Sequence, residues 1–316
     1  MNIALDMMGG DFAPLEAVKG IEIYLQQKNA ATKLFLIGDE TAIQKLLPQH
    51  AIPADDITLI HAAQVIEMYE HPTKALKEKQ QSSIAIGFQL LATGKADAFI
   101  SAGNTGAMMV GALYSIKAIE GVMRPTIGAY MPKENGNLGL LLDVGLNADC
   151  KPENLLQFAV LGSLFAQHIL QVEKPRVGLL NLGEEEGKGN ILTQATFPLL
   201  KNNTLINFIG NIEGRDVLLD KADVIVCEGF TGNVILKFAE SIYDIVQRRR
   251  IDDEHFNRFN FENYGGVPVL GVNKPVIIGH GISHATAFKN MILIAERMIE
   301  KDLSGKIRES FVMRDQ

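Results

Sequence analysis

Small polar and charged residues gather with glycine in short turns along this 316-residue chain. They are the residue types that hold anions and polarise carbonyl groups. The turns are Met7-Met8-Gly9-Gly10-Asp11, Ser101-Ala102-Gly103-Asn104-Thr105-Gly106, Val144-Gly145-Leu146-Asn147 and Leu182 to Gly189 (LGEEEGKG). Three more are Asn211-Ile212-Glu213-Gly214-Arg215-Asp216, Glu228-Gly229-Phe230-Thr231-Gly232-Asn233 and His280-Gly281-Ile282-Ser283. Where such a turn opens a helix, the first backbone N–H groups have no helical acceptor and form a ready anion site. The same residues also suit a purely steric role, since a tight turn needs small side chains and Asn104 or Thr105 makes a good helix cap. Each turn follows a run of β-type residues, and in open α/β sheets the carboxyl ends of strands are where ligands bind. Repetition at every such place favours ligand binding over turn-making alone.

Familiar motifs do not account for these turns. GEEEGKGN has three residues between its first glycines, no Ser or Thr after Lys188, and three carboxylates that repel phosphate, so it is not a P-loop. No G-x-G-x-x-G follows the first strand, so no nicotinamide or other dinucleotide is expected. His280 and His284 lack a third ligand at a supporting spacing, and no metal is expected. Cys227 ends a strand with no cation nearby in sequence and reads as an inert buried thiol. GISHA lacks the second glycine of a nucleophile elbow.

The elements that position the turns are legible from periodicity. Val-, Ile- and Leu-rich runs read as strands at NIALD, KLFLIG, ITLIHAA, DAFISAG, PTIGAYMP, LGLLLDVG, RVGLLNLG, INFIGN, DVIVCEG, VPVLGV and PVIIGHG. A period near 3.6 marks helices at APLEAVKGIEIYLQQ, SIAIGFQLLATG, NLLQFAVLGSLFAQHIL, NVILKFAESIYDIVQRR and ATAFKNMILIAERMIEKD, with another after SAGN. Alternation of this kind implies an α/β fold with a mostly parallel sheet covered by helices. No linker or repeat divides the chain, so a single domain over 1–316 is expected, with room for two lobes around an active-site cleft. Hydrophobic residues make up 47% and charged ones 21%, as in a packed globule, and the net charge of −7 disfavours nucleic acid. No signal peptide is expected at the N-terminus, and two widely separated cysteines point to a reducing, cytoplasmic setting.

The ordered set ALDMMGGDFAP, SAGNTGA, LDVGLNAD, NLGEEEGKGN, GNIEGRD, EGFTGNVILK, YGGVPVLG and HGISHATAFKN spans nearly the whole chain. In these motifs the chain closely resembles the bacterial PlsX-type phosphate acyltransferases. The resemblance implies a three-layer α/β/α fold similar to phosphotransacetylases and isocitrate dehydrogenase-like enzymes, and a homodimer. It implies transfer of a fatty acyl group from acyl carrier protein to inorganic phosphate, giving acyl phosphate for phospholipid synthesis. A membrane glycerol-phosphate acyltransferase would be the next partner, and membrane association would pass through it. The chain departs from the family in ALKEKQQSS, where Lys77 stands for an arginine and Gln80 and Gln81 for a lysine and an aspartate. It also has a short, charged segment over 248–264 where many relatives carry a longer apolar hairpin.

Transfer to phosphate needs no covalent enzyme intermediate, because phosphate is the nucleophile. It needs phosphate held beside the thioester carbonyl, donors for the oxyanion, and exclusion of water. N–H groups of Thr105, Gly106 and Gly232, with Asn104, Lys79, Ser82 and Ser83, are the candidates for phosphate. Lys188, Asn147, Asn233 and His280 are candidates for the oxyanion or the departing thiolate. Asp6, Asp11, Asp143 and Glu228 would shape the turns, and the methionines of TGAMMVGALYSI would pack in the core or line an acyl groove. Arg248, Arg249 and Arg250 form the densest basic run and would face an acidic carrier protein. Two other readings compete: a phosphotransacetylase acting on a short acyl-CoA, and a non-catalytic acyl-ligand binding protein.

Overall fold

The computed structural model describes residues 1–27 and 31–312. In chain order its elements begin β1 (Asn2–Asp6), α1 (Leu15–Gln26), β2 (Lys33–Gly38), α2 (Glu40–Leu46), β3 (Ile57–His61), α3 (Pro72–Glu78), α4 (Ser83–Ala92), β4 (Ala98–Ser101) and α5 (Thr105–Gly111). They continue β5 (Thr126–Pro132), β6 (Leu138–Leu142), α6 (Pro152–His168), β7 (Arg176–Asn181), α7 (Ile191–Lys201), β8 (Asn207–Glu213), β9 (Val224–Val226) and α8 (Gly229–Arg248). The last are α9 (Glu254–Asn257), β10 (Gly266–Leu270), β11 (Val276–Gly279), α10 (Ala285–Glu300) and α11 (Leu303–Val312). Every strand expected from the sequence is present, and the fold is the mostly parallel α/β class that the alternation implies.

The elements gather in two compact units. Met1–Ala118 and Phe261–Ser304 form the first; Ile119–Asn260 and the C-terminal residues from Gly305 form the second. In the first unit the strands run in the order β3-β2-β1-β4-β11-β10, all neighbours parallel except the antiparallel β10–β11 pair. In the second the order is β5-β6-β9-β7-β8, with only β5–β6 antiparallel. Parallel neighbours end on the same edge. The turns after β1, β4 and β11 therefore share one edge of the first unit, and those after β6, β9, β7 and β8 share one edge of the second.

Central strands are buried throughout, with Ile3, Ala4 and Leu5 in β1, Ala98, Phe99 and Ile100 in β4, and Leu140, Leu141 and Leu142 in β6 fully covered. This is the pattern of strands covered by helices. Met108 is buried in α5 and packs in the core. Among the described residues no helix is long and apolar enough to cross a membrane.

A buried ion network holds the opposite edge of the second unit. Lys133, which follows β5 and is 1% exposed, donates to Asp223 at 2.6 Å and to Asp220 at 3.0 Å. Arg176, opening β7, donates to both carboxylate oxygens of Asp223 through Nε and Nη2 at 2.9 Å, and its backbone N–H donates to the same residue at 2.8 Å. Burial pushes the Asp223 carboxyl up, but the hydrogen bonds from Arg176 and Lys133 outweigh it and hold the group well below the usual carboxylate range.

Candidate active site

In the first unit, the edge is built around Asp6, which ends β1 with its carboxylate fully buried. Ser101 at the end of β4 donates to it at 2.6 Å, Ser83 in the first turn of α4 bonds it as well, and the Met8 N–H donates at 3.0 Å. Burial pushes this carboxyl above its usual value against those hydrogen bonds. Ser101 also accepts from the Gly103 N–H at 2.9 Å, so the β1 and β4 turns are tied through one carboxylate. They approach so closely that a Cβ on Gly9 would meet the Gly103 nitrogen at 2.5 Å. The Asp11 N–H donates to the Gly281 carbonyl at 2.8 Å and joins the β1 turn to the β11 turn, while the Asp11 side chain is exposed.

Asn104 caps α5, its Oδ1 accepting from the Ala107 N–H at 2.9 Å. Its Nδ2 donates to the carbonyls of Glu67 at 2.9 Å, Glu70 at 3.1 Å and Met68 at 3.3 Å, which pins the segment before α3. All of its polar capacity is used inside the protein. The N–H groups of Thr105 and Gly106 have no acceptor among the described residues. Lys79 donates to the Val65 carbonyl at 2.7 Å and to Glu70 at 2.5 Å. Ser82 caps α4, accepting from the Ala85 N–H at 3.3 Å and donating to the Lys79 carbonyl at 2.7 Å. His280, after β11, lies against the Phe261 ring at 5.1 Å between centroids. Ser283, in the same turn, is 2% exposed and its hydroxyl has no partner among the described residues.

In the second unit, the edge is built around Asp143, also fully buried. Its Oδ1 accepts from the N–H groups of Leu146 at 2.7 Å and Gly145 at 2.8 Å, and its Oδ2 from Thr126 and the Asn147 amide at 2.8 Å each. The Asn147 amide also donates to the Pro125 carbonyl at 2.8 Å. Both hydrogens of Asn147 thus shape the turn. Glu228 caps α8, accepting from the Thr231 N–H at 2.9 Å and from its hydroxyl. The Gly232 N–H, expected to be open for phosphate, instead donates to the Glu228 carbonyl at 3.1 Å as the helix closes its first turn. Gly232 is required because a Cβ there would run into the Asp143 carbonyl. Asn233 is exposed one residue further on and faces Gly145, whose Cβ position lies 3.5 Å from the Asn233 Oδ1.

The turn after β7 carries Lys188 exposed, and its ammonium makes no ion pair among the described residues. The loop itself is held. Asn181 donates to the Lys188 carbonyl at 3.0 Å, and Gln194 donates to the carbonyls of Gly187 at 3.2 Å and Gly189 at 2.9 Å. Glu184 and Glu186 pair with Lys221 and Lys201 on the surface. Arg215 pairs with Glu213 on the same surface, and Asp216, which is buried, is bonded to Lys221. Burial, then Glu228 and Asp143, pushes the Cys227 thiol well above its ordinary value, so it stays protonated. Ser101 and Ser283 lie in the turns read from the sequence, but their roles there are not legible in it, and the cavity-lining residues Leu155 and Leu192 carry no motif. Only contact with distant segments marks them.

Chemically, each edge by itself offers groups that suit an anion. On the first unit's edge these are the N–H groups of Thr105 and Gly106, without an acceptor among the described residues. On the second unit's edge it is the Lys188 ammonium, without an ion pair among the described residues. Residues 1–306 match the family model described as fatty acid synthesis protein. The chain is 43% identical to the phosphate acyltransferase of Dictyoglomus turgidum over 328 aligned positions, covering 98% of this chain and 97% of that protein. It is 44% identical to the phosphate acyltransferase of Chlorobaculum tepidum, covering 95% of this chain and 98% of that one. Among solved structures it is similar in fold to the EutD phosphotransacetylase from Staphylococcus aureus, with a TM-score of 0.65 at 20% identity over 95% of this chain and 94% of that one.

Proposed function

Because the chain belongs to the fatty acid synthesis protein family, we propose that it is a phosphate acyltransferase that moves a fatty acyl group from acyl carrier protein to inorganic phosphate. A phosphate oxygen attacks the thioester carbonyl carbon, a tetrahedral oxyanion forms, and its collapse breaks the C–S bond. The acyl phosphate leaves with the new O–C bond, and the carrier thiolate takes up a proton. The polar groups of the edge turns divide by this scheme. Asp6, Ser82, Ser83, Asn104, Asp143, Asn147 and Glu228 fix backbone geometry through their hydrogen bonds. On the first unit's edge the Thr105 and Gly106 N–H groups are the candidates for phosphate, while the Lys79 ammonium is already paired with Glu70. On the second unit's edge Lys188 is the candidate for negative charge developing on the carbonyl oxygen or the sulfur. Asn233, His280 and Asp11 are further exposed polar side chains of these turns.

One observation carries the assignment of Lys188: an ammonium without an ion pair on a loop whose backbone is held by Asn181 and Gln194. Lys188→Ala should lower kcat/KM by at least about tenfold, roughly 1.4 kcal/mol in barrier. Its melting temperature should match the parent. A large drop in melting temperature with normal turnover would assign Lys188 to structure instead.

Two partner assignments complete the reading. Arg248, Arg249 and Arg250 are exposed at the end of α8 and suit an acidic carrier, whose encounter salt would slow. Phe230, Val234, Phe238 and Ile245 form an exposed apolar stripe along α8, which supports a homodimer. The membrane glycerol-phosphate acyltransferase that consumes acyl phosphate is the third partner of this reading, in a cytoplasmic setting.

A further inference from the structure

We infer that the cavity at the carboxyl ends of β7 and β9 seats the fatty acyl chain, an assignment that rests on the acyl-transfer reading above. The cavity encloses about 310 Å³, at the lower end of the range for small-molecule sites. Its apolar wall comes from four elements: Leu155 of α6, Leu180 and Leu182 at the end of β7, Leu192 of α7 and Ile235 of α8. Most of the polar side chains that also line it are bonded within the protein, and the Asn190 Oδ1 accepts from the Thr193 N–H at 2.8 Å. The Glu228 carboxylate accepts from the Thr231 N–H and hydroxyl, and Thr193 donates to the Asn190 carbonyl at 3.1 Å. Asn181 donates to the Lys188 carbonyl and accepts from the Leu182 N–H at 2.8 Å.

A cavity with so much leucine and isoleucine in its wall holds its occupant mainly by apolar contact. A chain of methylenes needs no hydrogen bonds, and each one buried contributes about 0.8 kcal/mol. A nucleotide or a carboxylate would find no cationic side chain in this wall. The approach is apolar as well: Leu182 is 70% exposed and Ile191, opening α7, is 90% exposed. Isolated leucines on a surface are ordinary, but two of this size beside an apolar cavity form a continuous path for a chain. The loop that contributes Leu182 and Asn190 to the cavity also carries Lys188. A chain lying in the cavity therefore enters past the residue assigned to the reacting carbonyl.

The test fills the cavity and reads chain-length preference. Ile235→Trp and Leu192→Phe alter half-buried helical positions, so the fold should be kept, and a thermal melt checks it. Rates are measured with palmitoyl and octanoyl thioesters of carrier protein, with phosphate present. The expected result is a palmitoyl-to-octanoyl ratio of kcat/KM lowered at least about tenfold, or roughly 1.4 kcal/mol. Octanoyl transfer should fall by a smaller factor than palmitoyl transfer. An unchanged ratio, or equal loss with both donors, in a variant that melts like the parent would overturn the inference. Failure of the acyl-transfer reading itself would show separately, as absence of phosphate-dependent turnover in the unaltered protein. A second measurement does not depend on the variants folding: a fatty acid with a diazirine at its methyl end, photolysed with the parent protein. Crosslinks at Leu155, within 180–193, at Gly214 or within 227–235 are expected, and crosslinks confined elsewhere would overturn the assignment.

Discussion

Asp223→Ala should destabilise the chain by about 3–5 kcal/mol, the range for removing one partner of a buried ion pair. Lys133 would then remain buried with only Asp220, which lies 3.0 Å away and is itself more exposed. Arg176 would lose its Nε, Nη2 and backbone N–H acceptors on the same residue. The effect carries a pH signature. The Asp223 carboxyl is held below its ordinary value, so its contribution is fully present above the unfolded-state value of about 4. That stability is lost as pH falls through the folded-state value. Denaturant unfolding of the parent should therefore weaken steeply below about pH 4, and the variant should show a flatter acid limb. Equal acid limbs in parent and variant would mean that another group governs acid stability.

Asn104→Ala should cost about 2–3 kcal/mol, combining a lost cap of about 1 with carbonyls left without their donor. For a unit of this size that lowers the melting temperature by roughly 5–10 °C. Four hydrogen bonds converge on this side chain, and it is 4% exposed. Asn104→Asp keeps the cap acceptor but turns a carboxylate oxygen onto the carbonyls of Glu67, Met68 and Glu70, so it should cost at least as much as alanine. Activity should decline through misplacement of the Thr105 and Gly106 N–H groups, and phosphate KM should rise more than kcat falls. An unchanged melting temperature with abolished turnover would mean that the side chain itself contacts the reacting groups.

These two residues show where reading the sequence stops. The strands were legible because β-branched and leucine runs sit between glycine turns, and the parallel order followed from alternation. The helices less visible in sequence have local reasons: α7 contains Pro198, and α2 and α3 are each seven residues long. The turns were found at the right edges, but the work of each polar residue depends on partners far along the chain. Asp6 is explained by Ser101, 95 residues away, and Asn104 by carbonyls 34 to 37 residues before it. Gly232 was expected to offer its N–H because sequence does not reveal where a helix closes its first turn. The cavity was invisible for a different reason. Leu155, Leu192 and Ile235 are apolar helix residues, and only packing distinguishes a wall from a core.

Hydroxylamine trapping tests the central claim most directly. The protein is incubated with palmitoyl-carrier protein, with and without inorganic phosphate, and the palmitoyl hydroxamate formed above the enzyme-free level is compared with free carrier thiol. Acyl transfer to phosphate predicts hydroxamate only when phosphate is present, in equal amount to the thiol released. Thiol release that proceeds equally without phosphate, or release with no trapped acyl phosphate, would contradict it.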